Sequence, residues 1–143
     1  MLPPIGTLDK GIKMTELHAA TLWVGLHVLF MGYLKARVGA TRSSTKINFG
    51  DGDNEKMQRA LRVQGNAVED VPTILIGIVM LALVSAPLWF IHSCGGVLLV
   101  SRMLHAFGLA KSSGLTFGRL VGTIGSMLAL IAVAGGCIYF AFQ

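Results

Sequence analysis

Charge is scarce in this chain. Its 143 residues include seven Asp and Glu and twelve Lys and Arg, a charged fraction of 13%. A soluble globular domain carries about 25%. The shortfall excludes an ordinary water-soluble domain and points to a membrane protein. The formal charge of +5 has no soluble basic domain to carry it, which excludes a nucleic-acid partner. Cysteine is scarce too. Cys94 and Cys137 both fall in apolar segments and have no metal-ligand neighbour at useful spacing, so they read as small buried apolar side chains. No Gly-rich phosphate loop precedes a helix. His18, His27 and His92 form no metal cluster, and Gly50-Asp-Gly-Asp lacks the remaining ligands of a calcium loop. The first residues, Met-Leu-Pro-Pro-Ile-Gly, have no basic region and no cleavage pattern, so the first apolar segment is read as retained.

Apolar residues make up 53% of the chain and gather in four segments, expected as helices at about 14–38, 57–84, 88–109 and 117–142. A spanning helix needs about 20 residues. Only 71–84 of the second segment is continuously apolar, so its polar first half must be helix shielded by neighbours. The connections at 85–87 and 110–116 are short; 39–56 is long, with a turn signal at Gly50-Asp-Gly-Asp-Asn54. Short connections imply antiparallel neighbours. The expected fold is all-α: a single transmembrane four-helix bundle over 1–143. Gly118, Gly122 and Ser126 recur at i+4, a small-residue face that lets helices approach closely.

Ten of the twelve basic residues cluster toward the first and third connections, leaving Lys10 and Lys13 on the other side. That asymmetry puts those connections in the cytoplasm and both termini outward.

The second helix opens with a polar face. Arg62, Asn66 and Glu69 stand at i, i+4, i+7. A charge at mid-bilayer costs about 2.5–3.5 kcal/mol on insertion scales, so such a face needs a partner helix or a polar ligand. The topology brings Asp70, Arg102, His105 and Arg119 to the same membrane face. Arginine forks match carboxylates and a carboxylate suits an ammonium group, so the layer suits a zwitterionic ligand. The competing reading is an internal ion-pair network, with Glu69 to Arg102 as its expected pair. Pro72 removes one backbone bond, from the carbonyl of Val68, and a kink there would widen the site.

These residues resemble the MAPEG family, the membrane-associated proteins in eicosanoid and glutathione metabolism. The family pattern Arg-x3-Asn-x2-Glu-x2-Pro matches Arg62, Asn66, Glu69 and Pro72, and Gln64 matches one branch. Arg102-x2-His105 is similar to another branch, and the run from Arg102 to Leu109 looks most like bacterial members. The resemblance implies a homotrimer in a bacterial inner membrane, with glutathione as co-substrate between subunits near the cytoplasmic face. Arg62, Asn66, Glu69 and Arg102 would hold its carboxylates and amine, with Gln64 and His105 beside them. Arg37 would reach the ligand and Arg119 would stabilise the thiolate. A hydrophobic small-molecule electrophile or peroxide would enter from the lipid bilayer. The chain departs from the pattern at Asp70 and Leu109, where many members carry Tyr. An extra carboxylate beside Glu69 opposes anionic ends of a ligand. Non-catalytic lipid binding, as in a lipoxygenase-activating member of the family, and proton-coupled transport through Glu69 and Asp70 are the alternatives to a thiol-dependent transferase or peroxidase.

Overall fold

The computed structural model describes residues 13–143, and Lys10 and residues 1–6 lie outside them. Four helices follow in order: α1 (Lys13–Thr45), α2 (Glu55–Leu83), α3 (Leu88–Lys111) and α4 (Phe117–Phe140). All four are long and apolar enough to cross a membrane. The chain is a four-helix, all-α integral membrane protein.

α1 runs seven residues past the expected end at Val38. Gly39 does not stop it. The hydroxyls of Thr41, Ser43 and Thr45 donate back to the carbonyls of Arg37, Gly39 and Thr41, so polar residues continue the helix. At 33 residues α1 is about 50 Å long, well beyond a hydrocarbon core of about 30 Å. Its projecting turns pack on the start of α2 through Val38, Met57 and Ala60, with Ile47 and Leu61 beside them. The long connection is therefore short and ordered. Arg42 Nη1 donates to the carbonyls of Ile47 at 3.2 Å and Gly50 at 3.1 Å. Gly50 and Gly52 take positive φ (67° and 58°), which glycine adopts without strain. Asn54 then caps α2, its side chain accepting from the N–H of Met57 at 3.1 Å.

α2 buries one stripe: Met57, Ala60, Val63, Ala67, Val71, Ile74, Ile78 and Leu81. Steps of three and four keep this stripe on one face along the whole helix, through Pro72. Pro72 itself is exposed and lies off the stripe. The stripe meets α1 and α3 in a main core that includes Ala20, Ile91 and Leu98. A second cluster, of Leu34, Val63, Ala67, Ala106 and Leu109, lies nearer the first connection.

α3 and α4 make the tightest seam. A Cβ at Gly118 would press on the carbonyl of Leu104, and one at Gly122 on the backbone of Ser101 and His105. The small-residue face of α4 is thus used within the subunit, to bring α4 against α3. Among the described residues α1 and α4 do not touch; each packs on both α2 and α3. The bundle is a diamond with α2 and α3 across its short diagonal.

Candidate functional site

At the end of the bundle where α2 and α4 begin and α3 ends lies a groove of about 710 Å³. Arg62, Asn66, Glu69 and Arg119 line it together. The same wall holds Glu55, Gln58, Arg59 and Gly65, and the connections add Asp51 and Ser113. Sequence reasoning singled out only the inner half of this α2 face. The outer half was visible in the same spacing: Glu55, Gln58, Arg59 and Arg62 stand at i, i+3, i+4, i+7. Ser113 carries no sequence signal of its own, since only the fold brings it here.

Two tethers shape the groove. Glu55 Oε1 pairs with Arg59 Nη1 at 2.5 Å and accepts from Ser113 Oγ at 2.7 Å. This ties the start of α2 to the connection between α3 and α4. Thr116 caps α4, accepting from the Arg119 N–H at 3.3 Å. The Arg119 guanidinium turns back over the connection, where Nη1 donates to the carbonyl of Ser113 at 3.0 Å. It lines the groove while anchored to neutral backbone, so its positive charge is not cancelled by a carboxylate.

The ion pairs among the described residues are Arg59–Glu55 and Arg102–Asp70. Arg62 and Glu69 belong to neither. Arg102 Nη1 lies 2.6 Å from Asp70 Oδ2, so the cross-helix pair forms with Asp70, not with Glu69 as expected. The reason is position on the helix. Asp70 follows Val63 and Ala67 at i+7 and i+3, on the edge of the buried stripe that faces α3, whereas Glu69 turns toward the groove.

Arg102 and His105 are 3% and 4% exposed and do not line the groove. They sit behind it, and Leu109, one turn beyond His105, is the α3 side chain that reaches its wall. Arg102 Nε and His105 Nδ1 are buried without hydrogen-bond partners among the described residues. Arg37 and Gln64 are half-buried and also lie off the groove. Gln64 is two residues from Arg62, which puts it on a different face of α2. Among the described residues no group of His, Cys, Asp and Glu could hold a metal ion.

Four helices long and apolar enough to cross a membrane, with a charge-lined groove at one end, define the class as a multi-pass membrane protein. Residues 20–139 match the MAPEG family, and the chain belongs to it. Inner membrane protein YecN of Escherichia coli is 32% identical over 89 residues, covering 62% of this chain and 68% of that protein. An uncharacterized protein of Synechocystis is 29% identical over 125 residues, covering 87% of this chain and 84% of that one. The four spans and the inner membrane relative together support a multi-pass integral inner membrane protein.

Proposed function

We propose that the groove binds a low-molecular-weight thiol of the glutathione type, and that the protein is a thiol-dependent transferase or peroxidase acting on hydrophobic electrophiles. The observation that carries this reading is that Arg62, Asn66, Glu69 and Arg119 share one groove in which Arg62 and Glu69 have no ion-pair partner among the described residues. Arg62 and Asn66 offer donors to a carboxylate, and Glu69 offers an acceptor to an ammonium group. Arg62 and Glu69 are seven residues apart, about 10 Å along the helix, a span that suits a small peptide rather than a single amino acid.

Arg119 supplies the activation. A free thiol has a pKa of about 8.5, and the thiolate is the nucleophile. A guanidinium not cancelled by a carboxylate lowers that value. The thiol proton leaves to water on binding, and the thiolate attacks an electrophilic carbon that arrives from the lipid side, forming a C–S bond as the electrophile's leaving group departs with its electron pair. Arg102 and His105 lie behind this layer as its buried support. The reading includes a homotrimer with the groove at the junction between subunits and Arg37 and Gln64 among the ligand-binding residues. It puts the groove at the cytoplasmic face and the termini outward, as the distribution of basic residues favours.

The test is rapid mixing of detergent-purified protein with glutathione, followed by ultraviolet thiolate absorbance, with Arg119→Ala beside the wild type. A signal present in the wild type and lost in the variant supports the reading. No signal at millimolar thiol overturns it.

A further inference from the structure

Asp70 follows Glu69 directly, yet the two carboxylates have opposite fates. Glu69 lines the groove, and Asp70 Oδ2 holds Arg102 Nη1 at 2.6 Å. That bond engages a guanidinium buried off the groove's lining, on the neighbouring helix α3. Arg102 is 3% exposed, and Glu69 is the other carboxylate within its electrostatic reach.

The charges left in the groove balance. Arg59, Arg62 and Arg119 face Asp51, Glu55 and Glu69. With the Glu55–Arg59 pair set aside, two cations and two carboxylates remain. A ligand with two carboxylates and one ammonium group would set one carboxylate on Arg62, its ammonium on Glu69 and its thiolate on Arg119, leaving no cation for the second carboxylate. Leaving a charge unpaired at a partly buried site is costly. A ligand with one carboxylate, one ammonium group and a thiolate satisfies Arg62, Glu69 and Arg119 together.

We propose that Asp70, by occupying Arg102, is a specificity-determining residue that tunes this groove to thiols carrying one carboxylate and one ammonium group. The inference rests on the thiol-site reading above. Removing the Asp70 charge would leave the Arg102 charge uncancelled behind the groove, making the site more positive and so more favourable to a second carboxylate.

Isothermal titration of the detergent-purified full chain with two probes tests this. One is glutathione, with two carboxylates; the other is its monoethyl ester at the glycine end, with one. The wild type is expected to bind the ester more tightly. Asp70→Asn is expected to shift the ratio of the two affinities about tenfold toward glutathione, and Asp70→Glu, which keeps the pair, to leave the ratio as in the wild type. A wild type that binds glutathione more tightly overturns the proposal without any variant, so a poorly folding Asp70→Asn does not protect it. An unchanged ratio in Asp70→Asn, with both probes bound, overturns the role of Asp70 and leaves the thiol site standing. Binding of neither probe to the wild type overturns both.

Discussion

The indole of Trp23 fills the space that a side chain at position 95 would need. A Cβ built on Gly95 would overlap the Trp23 ring. The same indole donates from Nε1 to His92 Nδ1 at 3.2 Å, so one aromatic side chain locks α1 to α3 by shape and by a hydrogen bond. An indole is a rigid plate with no small adjustment that would make room. Gly95→Ala is therefore expected to destabilise the bundle by about 1–3 kcal/mol, the range for overpacking a filled core. Thermal unfolding in detergent checks this: a variant that melts with the wild type would show that α1 docks on α3 without this contact.

The seam between α3 and α4 predicts a contrast between two glycines on one helix. A Cβ at Gly122 would press on backbone atoms of Ser101 and His105, which cannot rotate away. Nothing lies within 4 Å of a Cβ at Gly135. Gly122→Ala is expected to separate the helices and lower the melting temperature. Gly135→Ala is expected to be neutral, or to stabilise by up to about 1 kcal/mol through helix propensity. Equal melting of the two variants would refute the close seam. The Gly122 variant also moves His105, so its thiol binding is expected to fall as well.

Much of this architecture is legible in the residues. The four apolar runs announce four spans, and Pro87 and Thr116 mark where α3 and α4 begin, because one bars the preceding helix and the other caps the next. The end of α1 is not legible, because Gly39 reads as a stop and only the back-bonding hydroxyls and the Arg42 contacts show why the helix continues. Arg62, Asn66 and Glu69 are legible as a polar face, since their spacing is local. The partner of Arg102 is harder. Glu69 and Asp70 differ by one residue, or about 100° around the helix, so the choice depends on which way α2 is rotated. The buried stripe sets that rotation, and tracing it through Val63, Ala67 and Ile74 would have placed Asp70 beside α3. Ser113 and Asp51 enter the groove through chain connections, whose path no periodicity encodes.

The bond from Ser113 to Glu55 predicts a local effect without a global one. It joins two exposed groups, so its contribution to global stability is expected to be small. Its role is to hold the connection that carries the backbone carbonyls gripping Arg119. Ser113→Ala is expected to melt close to the wild type while the amides of residues 112–116 exchange with deuterium faster. Unchanged exchange there would mean that the Thr116 cap alone orders the connection.

Arg62 and Arg37 give the sharpest comparison of the site, since both are arginines near one end of the bundle. Arg62 lines the groove without an ion-pair partner, and Arg37 lies off it on α1. A hydrogen bond to a charged group contributes about 1.5–3 kcal/mol, equivalent to about a 10- to 100-fold change in affinity. Arg62→Ala is expected to weaken thiol binding by that factor, with little change in melting temperature because no ion pair among the described residues is lost. Arg37→Ala is expected to change binding in the isolated subunit's groove very little. If subunits share the site, however, Arg37→Ala lowers affinity in the assembled protein, and dilution into a detergent that separates subunits abolishes the difference between the variant and the wild type. Equal loss from both variants under separating conditions would contradict the groove as the binding site, because a residue off the groove would then matter as much as one within it.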